Sequence, residues 1–328
     1  MSGADRRSRG TMPLTHSDVK AAVERVSGLV RPVTVARADG FAGGSVGELW
    51  FALEFMQHTG SFKARGAQNF LLTHQENGTL PPTGVTIASG GNAGLACAWA
   101  ARSQRVPATV FVPTTAPKVK VDRLVSYGAD VRLAGAQYSD ALAACHEFAD
   151  TTGALLSHAY DNPLIAAGAG TLMTEIDRLV PDLGTVVVAV GGGGLFSGIA
   201  TAADHSGIRV IAVEPARCRA LNAAIRAGRV VDVEVDSVAA DSLGARRVSE
   251  MALAAAQHYD VESVVVDDAE IVAARRALWE DHRVAVEHGA ATAVAALLGD
   301  NPAFRPAQGE KVCVVLCGAN TDPSDLAR

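Results

Sequence analysis

The stretch Thr59-Gly60-Ser61-Phe62-Lys63-Ala64-Arg65-Gly66 decides how this chain reads. A lysine sits between an aromatic and a small residue, directly after Thr-Gly-Ser and just inside an expected helix. Thr59 or Ser61 can cap that helix, and Ala64, Ala67 and Leu71 give it a buried face. Lys63 then falls in the first turn, where the positive end of the helix dipole disfavours an ammonium and brings the neutral amine within reach. A lysine held in this way suits Schiff-base chemistry with a carbonyl cofactor. The other reading is a solvated surface lysine, the ordinary state of that residue.

Outward from the lysine, the pattern is one of short strands alternating with helices. Strands are expected over 85–88, 106–112, 129–133 and 154–157, with helices over 95–104, 118–127 and 139–152 between them. A second series begins after Asp161-Asn162-Pro163. It has a helix to about Leu179, strands over 185–190, 209–213, 264–266 and 311–316, and helices from Leu195 and over 219–228, 248–258, 268–282 and 290–298. Residues 230–247 read as loop. Ahead of the lysine, a helix is expected over 17–28, then an extended segment over 32–52 broken at Gly40, Gly43 and Gly44. Alternation of this kind gives parallel sheets covered on both faces. The fold class is α/β, a two-lobed open parallel-sheet fold with its site in the cleft outside the strand ends.

The totals agree with a globular protein: 328 residues, 48% hydrophobic, 20% charged. The net charge is −6 and no basic cluster is longer than the Arg6-Arg7 pair near the start, which argues against a nucleic-acid partner or an anionic membrane surface. No apolar run approaches membrane-spanning length. The first fifteen residues are polar and read as a loose arm rather than a secretory signal. Cys97, Cys145, Cys218, Cys313 and Cys317 have neither zinc nor disulfide spacing, so a reducing, cytoplasmic setting is expected.

Two further loops carry chemistry. Gly191, Gly192, Gly193 and Gly194 follow a strand and open a helix, where bare amides and the helix dipole can converge on an anion. A tight turn is the plainer reading. No spaced dinucleotide fingerprint is present. Ser89-Gly90-Gly91-Asn92-Ala93-Gly94 is a second strand-to-helix loop, offering amides, a hydroxyl and a carboxamide to a carboxylate, or serving as a simple connection. Cys317-Gly318-Ala319-Asn320 ends the last strand. Cys317 reads either as a buried small hydrophobe or as a weak donor facing a ring nitrogen.

In this order, the four segments resemble the fold-type II pyridoxal-phosphate enzymes, whose architecture is that of the tryptophan synthase β subunit. Among them, the serine/threonine dehydratases are most similar. Ser89-Gly90-Gly91-Asn92-Ala93-Gly94 and Val106-Pro107-Ala108-Thr109-Val110 look like the liver-type serine dehydratases. The resemblance runs from about residue 15 to the end. It implies a large cofactor lobe of residues 1–83 and 161–328 and a small lobe of 84–160. It also implies the roles: Lys63 as Schiff-base lysine and proton carrier at Cα, Phe62 against the pyridine ring, and Asn92 on the phenolic oxygen. Gly191, Gly192, Gly193, Gly194 and the amide of Leu195 would hold the phosphate, and Cys317 would face the pyridine nitrogen. Ser89, Gly90, Asn92 and Ala93 would receive the substrate carboxylate.

A thiol is ordinarily neutral at pH 7 and does not hold a proton on the ring nitrogen as a carboxylate would. The cofactor is then a weaker electron sink, which favours prompt loss of a β-leaving group. The expected reaction is elimination of water from L-serine or L-threonine, giving a 2-oxo acid (pyruvate or 2-oxobutanoate) and ammonia. The rivals are an amino-acid racemase, a cysteine synthase-like β-replacement enzyme and, in another class, a non-catalytic metabolite-binding protein. Racemases of this family carry a serine where this chain has Gly90, and glycine has no side-chain proton to give.

The chain departs from the family in three places. Ala52-Leu53 precede Glu54 where Lys-x-Glu is common. Glu287 stands where the family has a glutamate before Pro or Ser, but His288-Gly289 follow it. Glu214 matches a carboxylate that helps bind a cation in some relatives, yet Ala220 takes the place of a second acid. Glu214 therefore reads either as a ligand of a monovalent cation, completed by carbonyls such as that of Cys218, or as an acid beside a helix. A homodimer acting on a small hydroxy amino acid is expected. The sequence does not choose between serine and threonine, and with no segment after Arg328 a regulatory domain is not expected.

Overall fold

Runs of β-branched residues bounded by glycine form the central strands, as their packing on a pleated, buried surface favours. The computed structural model describes residues 14–38, 48–299 and 302–327. The strands are β1 (Val35–Arg37), β2 (Glu48–Ala52), β3 (Val85–Ala88), β4 (Ala108–Val112), β5 (Asp130–Leu133), β6 (Leu155–Leu156), β7 (Thr185–Ala189), β8 (Arg209–Pro215), β9 (Val261–Val266) and β10 (Lys311–Val315). The first six helices are α1 (His16–Val26), α2 (Lys63–Glu76), α3 (Asn92–Ser103), α4 (Lys118–Ser126), α5 (Tyr138–Thr152) and α6 (Pro163–Leu179). The rest are α7 (Gly194–His205), α8 (Ala220–Ala227), α9 (Ala240–Leu243), α10 (Glu250–His258), α11 (Asp268–His282) and α12 (His288–Ala295).

The strands make two sheets, one of six in the order β1-β2-β10-β7-β8-β9 and one of four in the order β5-β4-β3-β6. Every pairing is parallel except β1 with β2. The four-stranded sheet uses only residues between Val85 and Leu156. β7 and β10 are neighbours, so the loops that follow them, the tetraglycine turn and the Cys317 turn, leave the same edge of the larger sheet. That edge is where open α/β sheets place their ligands.

The expected extended segment over 32–52 is two short strands, and Gly40, Gly43 and Gly44 lie outside the described residues. So do Arg6-Arg7 and most of the polar arm. The loop expected over 230–247 contains α9, a single turn over Ala240–Leu243. α3 starts at Asn92 rather than Leu95, and α12 at His288 rather than Ala290.

The capping expected of Thr59 or Ser61 is not what the structure shows. Phe62 occupies the N-cap of α2 and makes no side-chain cap bond. Thr59 has a positive φ of 64°, and Ser61 is extended and bridged antiparallel to Gly318. Tying the backbone to another strand fixes the entry to α2 without a cap: the Phe62 amide donates to the Cys317 carbonyl at 3.0 Å and that of Ala319 to Gly60 at 2.9 Å.

The base of α2 is anchored by a buried ion cluster. The Arg65 guanidinium, with no exposed surface, meets Glu54 through Nε at 2.6 Å and Nη2 at 3.1 Å. Its Nη1 and Nη2 reach Glu175 at 2.7 and 3.1 Å, and further bonds go to Thr171 Oγ1 and the Arg31 carbonyl. A planar fork with every donor engaged is the geometry that offsets the desolvation of buried charge. α2 and α6 also touch backbone to backbone, because a Cβ on Gly66 would lie 2.6 Å from the Ile165 carbonyl oxygen and one on Gly168 at 2.6 Å from that of Arg65. Arg65→Met strands two carboxylates beside an apolar stem. It is expected to destabilise the protein by about 3–5 kcal/mol, read as the shift in the urea unfolding midpoint of the cofactor-free protein.

Candidate active site

Lys63 is the first residue of α2, held in place by the Arg65 cluster and the Cys317 bridge. Its amine donates to the Ala159 carbonyl at 3.1 Å and sits 4.4 Å from the centre of the Phe62 ring. Burial lowers its pKa to about 8, while Cys317 and Glu287 pull the other way. A small cavity beside it is lined by Phe62, Ala93, Ser157, His158 and Ala159 among others. Lys63 and Ala93 therefore face one space, although they come from the two sides of the cleft.

The tetraglycine turn is glycine for spatial reasons. A Cβ on Gly191 would lie 3.0 Å from the Leu243 Cα, one on Gly192 would enter the Tyr160 ring at 2.3 Å, and one on Gly193 would meet Ala252 at 2.3 Å. Gly193, the N-cap of α7, has φ 95°, a region that only glycine enters freely. None of the amides from Gly191 to Leu195 donates to another described residue, which is unusual for buried backbone. Five free amides at a helix N-terminus form an anion cradle. Tyr160 links this cradle to the lysine: its ring lies on Gly192, its hydroxyl donates to the Arg247 carbonyl at 3.2 Å, and the preceding residue accepts the bond from Lys63.

The loop after β3 is fixed from within. The Ser89 hydroxyl accepts from the Gly91 amide at 3.3 Å, and a Cβ on Gly94 would collide with the Ser89 carbonyl oxygen at 1.9 Å. Asn92 opens α3 and reaches across the cleft. Its Nδ2 donates to both Glu287 carboxylate oxygens, at 3.0 and 3.1 Å, and its Oδ1 accepts from Asn320 Nδ2 at 2.6 Å. Cys317 is buried, and burial with the nearby Glu287 pushes its thiol far above the usual range, so it is neutral. Burial also raises the pKa of Glu287.

Glu214 makes its bonds at α8. It is fully buried at the end of β8 and caps α8, accepting from the Leu221 and Asn222 amides at 2.7 Å each. Burial still pushes its pKa up to about 8. No cluster of three or more His, Cys, Asp or Glu side chains able to hold a metal occurs among the described residues.

The structure thus brings Phe62, Lys63, Asn92, Ala93, Cys317 and the glycine turn around one cleft. Ser89 and Gly90 lie in the loop that opens α3, and Glu214 is bonded to the first turn of α8. Ala159, Tyr160 and Asn320 were not singled out from sequence. Ala159-Tyr160 follows the short β6, and the only signal was its position at the same sheet edge as the Ser89 loop.

A lysine amine held near neutrality within reach of a side-chain-free anion cradle defines a Schiff-base enzyme whose carbonyl cofactor carries a phosphate. A family model described as pyridoxal-phosphate dependent enzyme matches residues 26–318, and the chain belongs to that family. The cradle of unpartnered amides and the poised amine fit pyridoxal 5'-phosphate, the cofactor of the family. An L-threonine ammonia-lyase of Geobacter sulfurreducens is 35% identical over 96% of this chain and 77% of its own length. A human protein named serine dehydratase-like is 35% identical over 81% of this chain and 83% of its own. Among solved structures, maize serine racemase superposes with a TM-score of 0.88 at 28% identity, covering 96% of each chain.

With a pKa of about 8, roughly a tenth of the Lys63 amine is neutral at pH 7, against well under a thousandth for an unperturbed lysine. The neutral form grows as pH rises through that value. Capture of the cofactor by the apoprotein should therefore accelerate about tenfold per pH unit up to pH 8 and then level off, followed by stopped-flow absorbance. A rise that continues to pH 10 would mean the amine is unperturbed.

Proposed function

We propose that the protein is an L-serine/L-threonine ammonia-lyase, removing water from a small β-hydroxy amino acid to yield a 2-oxo acid and ammonia. The observation that carries this reading is the buried Lys63 amine, bonded to the Ala159 carbonyl and brought by burial to a pKa of about 8. The relatives named as threonine ammonia-lyase and serine dehydratase-like support it.

When bound, the cofactor makes the substrate's Cα–H acidic by drawing its electrons into the ring. The protein's part is placement and proton movement. Phe62 packs on the ring, Asn92 donates toward the phenolic oxygen, and the amides of Gly191, Gly192, Gly193, Gly194 and Leu195 hold the phosphate at the positive end of α7. Ser89, Gly90, Asn92 and Ala93 receive the substrate carboxylate at the start of α3, again at a helix N-terminus. Lys63 Nζ takes the Cα proton and returns one to the departing hydroxyl, a task suited to a group titrating near the working pH. Cys317, a neutral thiol, would face the pyridine nitrogen without giving it a proton, which would suit chemistry that ends in loss of a β-hydroxyl. The released enamine hydrolyses in water to the 2-oxo acid and ammonia.

Racemisation is the second reading, supported by the similarity to maize serine racemase. It needs an acid on the face opposite Lys63, and Gly90 has no side chain to supply it. Moreover, a Cβ there would stand 3.3 Å from Val112 Cγ1, tight enough that Val112 must yield.

The same proposal divides the chain into a cofactor lobe of 1–83 and 161–328 and a small lobe of 84–160, supported by the confinement of the four-stranded sheet to Val85 through Leu156. It takes the enzyme as a cytoplasmic homodimer. Five free, buried cysteines suit a reducing compartment, and no helix among the described residues is long and apolar enough to cross a membrane. It also includes a monovalent cation beside Glu214, whose buried carboxylate lies close to Cys218.

Release of 2-oxo acid and ammonia is expected from L-serine and L-threonine across a panel of hydroxy amino acids. Lys63→Ala should remove it by at least about a thousandfold. D-serine appearing as fast as pyruvate would favour the racemase reading. Rates in potassium are expected to exceed those in tetramethylammonium at equal ionic strength; equal rates would remove the cation.

A further inference from the structure

Asn92 lies in a chain of polar contacts whose direction is set at its far end. The Thr59 carbonyl can only accept, and it accepts from Asn320 Nδ2 at 2.8 Å. The same nitrogen donates at 2.6 Å to Asn92, whose facing atom must therefore be the oxygen Oδ1. That leaves the Asn92 Nδ2 to face Glu287, where a carboxylate accepts it. Turning either amide over would bring like atoms together at hydrogen-bond distance. The ends of the chain are equally fixed. Thr59 has a left-handed φ of 64°, and a Cβ on Gly60 would strike Asn320 Oδ1 at 2.7 Å. A Cβ on Gly318 would strike Glu287 Oε1 at 2.5 Å, and the Glu287 amide donates to the Gly318 carbonyl at 3.1 Å. The Asn320 amide also donates to the Glu287 carboxylate.

We propose that Asn320 and Glu287 are positioning residues that orient the Asn92 carboxamide, so that it presents an N–H and never its carbonyl oxygen to the cofactor. This rests on the reading that Asn92 meets the phenolic oxygen. Nδ2 carries two hydrogens. Glu287 engages one, and the other is left for the cleft. The direction of this donor is thus dictated by a carbonyl of the lysine loop itself. One loop supplies both the amine and, through Asn320, the polarity of the group across the cleft.

The test uses the full-length apoprotein, titrated with pyridoxal 5'-phosphate by absorbance, with thermal midpoints measured in parallel without cofactor. Asn320→Asp sets acceptors against both Thr59 and Asn92 Oδ1. Asn92 should then turn over, and cofactor affinity should fall at least about tenfold, the scale of a donor replaced by an opposed acceptor. The absorption maximum should shift with it. Adding Glu287→Gln gives the turned amide a donor to accept from. The double variant should then recover part of the thermal midpoint while cofactor affinity and spectrum stay impaired. Recovery of affinity together with stability would overturn the proposal, since the contacts would then matter only as packing. If Asn320→Asp does not fold, Asn320→Ala is used, which removes the polarity constraint without a clash and should weaken affinity several-fold. Wild-type affinity in folded Asn320→Ala would also overturn it. Asn92→Ala separates the two readings. An unchanged spectrum and affinity there removes the Asn92 contact itself, whereas a loss there with wild-type behaviour at Asn320 removes only the proposal.

Discussion

The site depends on bringing the pKa of one amine down to about 8 in a place where its neighbours favour the opposite. Glu287 and Cys317 both act to raise the pKa of Lys63, and burial outweighs them. That outcome requires neither neighbour to be a free, close anion. Cys317 is not one, because its thiol is neutral. Glu287 is held off by occupation: its oxygens are taken by Asn92 Nδ2 and by the Asn320 amide. The amine is left with a carbonyl, an acceptor that stabilises an ammonium less than a carboxylate does.

The same economy of charge appears at the other end of the cofactor site. The glycine turn proposed for the phosphate offers backbone amides and a helix dipole, with no lysine or arginine in it. A basic side chain there would further disfavour the protonated Lys63, and would also compete with it for Glu287. Backbone dipoles carry no net charge and so act on the phosphate without perturbing the amine at longer range. Their cost is spatial. Tyr160, Leu243 and Ala252 crowd the turn so closely that any side chain on it would displace one of them.

Much of this was legible in the sequence for a physical reason: amines, bare amides and a carboxamide at strand-to-helix junctions leave a local signature. The alternation of strands and helices could be placed within a few residues because most core strands are rich in β-branched residues and bounded by glycine or proline. What was not legible is whatever depends on contacts distant in sequence. Thr59 and Ser61 satisfied the local rule for a cap, yet a bridge to Gly318, more than 250 residues on, decides that helix's entry. α9 inside the 230–247 loop is one turn long and owes its place to packing on Gly191 rather than to propensity. Glu54 was read only as a departure from a family pattern, whereas it is the main partner of Arg65. Asn320 was quoted as part of a motif without a role, since only the fold brings it between Thr59 and Asn92.

These long-range links share one design. The lysine loop is bonded to the turn after β10, that turn to Glu287, and Glu287 to the first residue of α3. The first two links run between backbone groups, and the third joins the buried Glu287 carboxylate to the Asn92 carboxamide. Reaction geometry tolerates little error: a displacement of about an ångström at the reacting atoms can cost on the order of a hundredfold in rate. A cleft between two sheets is where such errors would gather. Here Asn92, at the start of α3, is bonded on one side by Glu287 and on the other by Asn320.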